Sequence, residues 1–286
     1  MCSTCGCDDE AGVRVTSLQA APSAESPHPH THEHPHEHPH QGPHEHLAQG
    51  RHEHAQQDRD ERPQRSETLV IEREILAKND LLAAHNRGWL AGRGITALNV
   101  MSSPGSGKTT LLARTITEMA QVARPRPVAV IEGDQETLLD AERIRRTGAP
   151  VVQINTGAGC HLDAEMLRQG LERLSPPMGA LLFVENVGNL VCPALFDLGE
   201  TARVVVISVT EGEDKPLKYP HMFAGADLVV VNKSDLLPYV DFDVDGCMEY
   251  ARRVNPGLPC VVVSAKTGDN IGEWYKWLEA QEKQGC

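Results

Sequence analysis

Aromatic side chains are scarce in this chain: three Trp, four Tyr and four Phe among 286 residues. So few rings disfavour a stacking platform for single-stranded nucleic acid. Positive charge is also short, with 27 Lys and Arg against 40 Asp and Glu and a formal net charge of −13. Nucleic-acid binding is driven by cationic neutralisation of phosphates, so no polyanion partner is expected. Long apolar runs are missing. The longest, Ala180 to Val184, has five residues, against the roughly 20 that a membrane helix needs. The N-terminal MCSTCGCDDE is acidic and lacks the basic and apolar regions of a secretory signal. A cytoplasmic location is therefore expected. The eight Cys are then reduced, as ligands or buried thiols rather than disulfides.

What is present is unevenly spread. Residues 1–67 hold 11 of the 14 His, twelve acids, five bases and almost no large apolar side chains. Such a segment cannot bury enough apolar surface to offset chain entropy, so it reads as a disordered tail. Residues 68–286 read as the folded domain. It opens with an amphipathic helix over 68–92, ended by Gly92 and Gly94. Seven short apolar runs follow, at 95–101, 127–131, 150–154, 180–184, 203–209, 227–231 and 259–263. They are continuous in Val, Ile and Leu rather than alternating, the pattern of strands buried on both faces of a parallel sheet. Helical periodicity fills the gaps, for example Leu111, Leu112, Thr115, Ile116 and Met119. The expected fold is α/β, a doubly wound, mostly parallel sheet with right-handed crossovers.

The first strand runs into Ser102-Ser103-Pro104-Gly105-Ser106-Gly107-Lys108-Thr109-Thr110 and a helix. This is a phosphate-binding loop in its required strand–loop–helix context. Gly105 and Gly107 let the loop from Pro104 to Thr110 curl its backbone N–H groups around phosphate oxygens at a helix N-terminus. Lys108 would bridge the β- and γ-phosphates, and the Thr109 hydroxyl would ligate Mg²⁺. Ser102 takes the place of the usual first glycine.

Two later strands end in Asn232-Lys233-Ser234-Asp235 and Ser264-Ala265-Lys266. Both lie where parallel sheets bind ligands. A carboxylate at Asp235 accepts from both guanine N1–H and the exocyclic amine, a pairing adenine cannot offer. Leaving that acceptor unpaired costs at least about 1–3 kcal/mol, which favours GTP over ATP. Lys233 is expected over the base plane, and the Ala265 N–H at the base carbonyl. Asp134 and Glu185, each just past a strand, are candidates for holding Mg²⁺ directly or through water. Gly188 would let the backbone swing towards the γ-phosphate. No water-positioning Gln follows Gly188, so slow intrinsic hydrolysis is expected.

Three features suggest a transition metal. Cys2, Cys5 and Cys7 can wrap three thiolates around one ion, suited to Ni²⁺ in a planar arrangement or to Zn²⁺ in a tetrahedral one. A redox dithiol is the alternative reading. His28, His30, His32, His34, His36, His38 and His40 recur every second residue, and His44, His46, His52 and His54 continue the theme. Such an array suits storage of several divalent ions, or merely solvates a linker. Inside the domain, Cys160 and His161 are adjacent, and Cys192 follows Gly188 by four residues. They join across a loop, meet a second copy, or are simply buried structural thiols.

Together MCSTCGC, the His-rich linker, SSPGSGKTTLL, IEGDQET, GCHLDAEM, ENVGNLVCPA and NKSDLLPY resemble the hydrogenase nickel-incorporation GTPases, the HypB family. The resemblance covers nearly the whole chain. It implies a SIMIBI-class P-loop GTPase that helps insert nickel into the [NiFe]-hydrogenase large subunit. It also implies a tight nickel site at Cys2, Cys5 and Cys7 and a weaker nickel or zinc site at Cys160, His161 and Cys192. The implied partners are a HypA-type nickel metallochaperone, the large-subunit precursor and, when GTP is bound, a second copy of the chain. Leu236 and Val240 match the family's dimer surface by position. Nickel storage with a secondary GTPase, and a urease accessory GTPase of the UreG type, are the competing functions.

Overall fold

The computed structural model describes residues 14–18, 61–122, 125–135, 138–157 and 159–284. Its centre is an eight-stranded sheet. In chain order the elements are β1 (Arg14–Leu18), α1 (Glu61–Gly92), β2 (Thr96–Ser102), α2 (Lys108–Met119), β3 (Val128–Asp134) and α3 (Leu139–Arg145). Then come β4 (Val151–Asn155), α4 (Ala164–Leu174), β5 (Leu181–Gly188), β6 (Ala202–Ser208), α5 (Lys215–Lys218) and α6 (Pro220–Ala224). The chain closes with β7 (Leu228–Asn232), α7 (Val244–Val254), β8 (Cys260–Val262) and α8 (Ile271–Gln284).

All seven expected strands form, and they pair in parallel in the order β4-β3-β5-β2-β6-β7-β8. Each carries apolar side chains to both faces, and both faces are covered. Leu98, Val100, Phe183, Val204 and Val230 meet Leu111 and Ile116 of α2, Ile144 of α3 and Trp274 of α8. On the other face, Ile131, Ile154 and Leu182 meet Leu90 of α1 and Leu167 of α4. Met101, Val205 and Val229 meet Phe223 of α6 and Ala251 of α7. Strand order turns back on itself at β2, the topological switch where such sheets bind ligands. The phosphate loop leaves from that strand.

Two expectations need correcting. Residues 14–18 were expected to be unstructured, yet they form β1, antiparallel to β4 from Arg14↔Asn155 to Leu18↔Val151. The expectation weighed apolar side chains, whereas an edge strand is held through its backbone. Here the single half-buried Val15 packs against the core. Helix α1 begins at Glu61 rather than 68. Its first residues, ERPQRSE, are mostly good helix formers, and Pro63 falls in the first turn where no N–H is needed.

Helix α1 is fastened by buried polar groups rather than by an apolar stripe alone. Asn79 donates to the Asp197 carbonyl at 2.7 Å and accepts from the Ala164 N–H at 2.9 Å. Asn86 donates to the carbonyls of Ala164 and Leu198. Both residues therefore tie α1 to the start of α4.

Candidate nucleotide and metal site

The phosphate loop is shaped by two left-handed glycines, Gly105 at φ 72° and Gly107 at φ 96°. Space also demands Gly107, because a Cβ there would stand 2.5 Å from the Asn232 amide nitrogen. Lys108 opens α2 and donates to the Ser102 hydroxyl at 2.9 Å. The serine at the usual glycine position is therefore accommodated, buried and bonded. Pro104 and Gly105 are exposed, Ser106 is buried, and Thr110 is half-buried on the first turn of α2.

The base-side motifs grip the same loop. Asn232 donates to the Ser106 carbonyl at 2.9 Å and accepts from the Ala265 N–H at 2.9 Å. Ala265's amide was expected to face a base carbonyl and is instead bonded to Asn232. Lys233, itself left-handed at φ 64°, donates to the Gly105 carbonyl at 2.7 Å. The Asp235 carboxylate accepts from the Ser264 hydroxyl at 2.6 Å. Lys266 is exposed, and its carbonyl accepts from Arg114.

Opposite lies a buried acidic pair. Thr109 donates to Glu185 at 2.6 Å. Glu132 on β3 is the register partner of Glu185 on β5. Burial raises the Glu185 carboxyl, and burial followed by the Glu185 charge pushes Glu132 up to about 9. The second oxygen of each carboxylate is buried and unpartnered, as is the Ser106 hydroxyl. Asp134, two residues after Glu132 and so on the same face of β3, ends that strand half-buried. This donor set fits a hard divalent cation such as Mg²⁺, which prefers oxygen ligands. Sequence reasoning chose Asp134 and Glu185 but passed over Glu132; the i, i+2 spacing of two acids at a strand end was the available signal. It also passed over Glu211, which accepts from the Ser103 hydroxyl and from the Ser208 N–H and pairs with Lys215. Gly188 approaches the loop closely: a Cβ there would lie 3.0 Å from Pro104 Cα.

The metal candidates converge. Cys160 and His161 lie in the loop before α4, whose N-cap is Asp163. Cys192 opens a short 3-10 turn beyond β5. β4 and β5 are not neighbours, since β3 lies between them. The loop crosses over β3 where Gly133 has no side chain, and Leu162 fills that space. As a result the ligand atoms of Cys160, His161 and Cys192 all lie within 4.8 Å of one another. Cys160 Sγ is 3.7 Å from His161 Nδ1. The His161 ring stacks on Phe196 at 4.0 Å. Burial lowers the His161 pKa, which keeps the imidazole neutral with a lone pair to offer. Two thiols and an imidazole suit Ni²⁺ or Zn²⁺.

By contrast, burial pushes Cys247 up to about 12 and Cys260 up to about 11. Cys247 lies within the apolar core and Cys260 packs against it. Cys2, Cys5, Cys7 and the histidines from His28 to His54 lie outside the described residues.

The family model described as "CobW/HypB/UreG, nucleotide-binding domain" matches residues 96–262. The chain belongs to that group of P-loop nucleotide-binding proteins. The Hydrogenase maturation factor HypB of Azotobacter vinelandii is 59% identical over 217 residues, covering 76% of this chain and 71% of that protein. The Escherichia coli protein of the same name is 55% identical over 213 residues, covering 74% and 72%. Within the group, then, this chain is a member of the HypB family of hydrogenase maturation factors. Two crystal structures share the fold. HypB from Helicobacter pylori in complex with nickel is 37% identical with a TM-score of 0.66, covering 72% of this chain and 96% of that one. HypB from Archaeoglobus fulgidus is 41% identical with a TM-score of 0.66, covering 72% and 99%. Among the described residues, no helix is long and apolar enough to cross a membrane.

Proposed function

We propose that this chain is a GTP-hydrolysing nickel carrier that helps load the [NiFe]-hydrogenase large subunit. The observation that carries the reading is the meeting of Cys160, His161 and Cys192 within 4.8 Å, beside the strand end that carries Glu185 and Gly188 to the phosphate loop. The nickel complex of the Helicobacter pylori protein supports nickel as the cargo. Nickel is handled here as substrate, held by two thiolates and a neutral imidazole.

The chain's own residues divide the nucleotide work. The loop from Pro104 to Thr110, through the backbone N–H groups of Gly105 to Thr110, holds the phosphates together with the Lys108 ammonium. Asp235 selects guanine, with Lys233 along the base and Ser264, Ala265 and Lys266 closing the base pocket. Thr109, Glu132, Asp134 and Glu185 would hold Mg²⁺, which would supply positive charge to neutralise the phosphates. Both unpartnered carboxylate oxygens would then face a counter-charge. Gly188 permits the switch backbone to move against Pro104. With no Gln placed behind Gly188, turnover is slow and the nucleotide acts as a state marker.

The tail supplies metal. Cys2, Cys5 and Cys7 form a tight site, and the histidines from His28 to His54 form a store. A HypA-type metallochaperone and the large-subunit precursor are the partners, and GTP favours a homodimer. Leu236 and Val240 pack partly against the core and flank the exposed Tyr239, which supports a contact surface there.

A competitive nickel titration tests the reading, on the intact chain and on one lacking residues 1–67, each with GDP and with a non-hydrolysable GTP analogue. Nucleotide-dependent affinity in the shortened chain is expected. An affinity that ignores the nucleotide would return Cys160, His161 and Cys192 to a structural role.

A further inference from the structure

We infer that Asn186 and Asn189 are positioning residues that clamp the metal loop to the nucleotide-facing end of β5, with Leu162 as the pin between them. The inference rests on the nucleotide-coupled metal reading above and names the link through which the coupling passes.

Asn186 is 1% exposed and follows Glu185 directly. Successive residues of a strand point to opposite faces. Glu185 therefore faces Thr109 and the phosphate loop, while Asn186 faces the metal loop. Its side-chain carbonyl accepts from the Leu162 N–H at 3.1 Å and from the Val187 N–H at 3.0 Å. Its amide nitrogen donates to Asn99 Oδ1 at 3.2 Å, and Asn99 in turn donates to Glu200 at 3.2 Å. Both ends of the Asn186 amide are thus fixed by buried partners.

Leu162 is the residue after His161 and is fully buried. Its side chain sits over Gly133, where an added Cβ would come within 2.7–2.9 Å of its Cγ and both Cδ atoms. Gly133 lies between Glu132 and Asp134, so the pin is held from the acid-bearing ends of both β3 and β5. A third hold comes from Asn189, which donates to the Cys160 carbonyl at 3.4 Å and accepts from the Val191 N–H at 2.7 Å. Hydrogen bonds from one short stretch of β5 and its exit thus reach the neighbours of Cys160, His161 and Cys192. A close-packed interior transmits a displacement instead of absorbing it. A nucleotide-driven shift of Glu185 and Gly188 would therefore reappear as a change in spacing between the two thiols.

The test uses the full chain with Cys2, Cys5 and Cys7 changed to Ser, so that tail thiols are silent. Co²⁺ is the probe, because its thiolate charge-transfer band does not register the His tract. The quantity read is the ratio of Co²⁺ affinities with a GTP analogue and with GDP. Asn186→Ala is expected to bind nucleotide and Co²⁺ but to move that ratio towards one by about five-fold, the worth of one buried hydrogen bond. Asn189→Ala, at a half-buried position, should move it in the same direction and covers the case in which Asn186→Ala does not fold. A ratio in Asn189→Ala and any folded Asn186→Ala equal to the parent's overturns the clamp alone. A parent ratio of one overturns the coupled reading and the clamp with it.

Discussion

Replacing Gly199 by Ala should destabilise this protein through one specific collision with α1. Gly199 stands at φ 88°, and a Cβ there would lie 2.3 Å from the Ala83 carbonyl oxygen and 2.8 Å from the Arg87 nitrogen. Both are backbone atoms of a helix, which no rotamer change can move aside. The left-handed conformation alone costs an Ala about 1–2 kcal/mol. Overlap in a packed interior adds about 1–3 kcal/mol, because the helix must retreat. The expected total is about 3 kcal/mol. Gly148 provides the control, with φ 86° and nothing within 4 Å of its Cβ position. Gly148→Ala should show only the backbone part, about 1–2 kcal/mol. Urea denaturation of both variants, compared at constant m-value, isolates the collision. A second readout follows from the bonds of Asn79 and Asn86 to Ala164. A retreating α1 loosens the start of α4 just beyond His161, so Gly199→Ala should also weaken metal binding at the internal site. Equal destabilisation by the two substitutions would refute the reasoning, because the close approach of Gly199 to α1 would then be of no energetic consequence.

Other outcomes follow from the same structure. Asp235→Asn should weaken GDP binding by about 3 kcal/mol, or about a hundred-fold, and improve xanthosine diphosphate binding; fluorescent-nucleotide displacement measures both. Glu132→Gln should reduce the contribution of Mg²⁺ to GDP affinity while leaving Mg²⁺-free binding much less changed, and equal losses with and without Mg²⁺ would remove Glu132 from the cation site. Cys247 keeps its proton in the folded chain because burial pushes its pKa from 9.0 up to about 12, whereas the unfolded thiol ionises from about pH 9. Stability is therefore lost as pH rises through that window. The parent should lose about 1 kcal/mol more than Cys247→Ala between about pH 8 and about pH 10, read from urea midpoints. Identical losses would mean the thiol is not held protonated.

Much of the architecture was open to reading from residues alone. A strand buried on both faces is largely apolar, so the seven parallel strands announce themselves as Val-, Ile- and Leu-rich runs. The glycines, Lys108 and Thr109 of the phosphate loop are similarly legible, because a tight anion cradle tolerates few residue types. The same holds for Asp235, whose value lies in side-chain chemistry. Cys160, His161 and Cys192 were visible as candidates, and their joining across a loop was one of several alternatives that residues alone did not decide between. Their meeting depends on β3 lying between β4 and β5, and on Gly133 leaving room for Leu162.

The remaining features depend on partners distant in sequence. β1 escaped notice because its pairing with β4 runs through backbone groups that every residue possesses. Glu132 reads as one acid among 40 until the register sets it against Glu185. Asn186 shows no role of its own until Leu162 and Asn99 are brought to its two ends. Sequence by itself determined which elements form and which chemistry they carry, because hydrophobic pattern and side-chain type are local properties. Only the tertiary structure decided which charges share a buried space and which loops touch, because those follow from strand order and register.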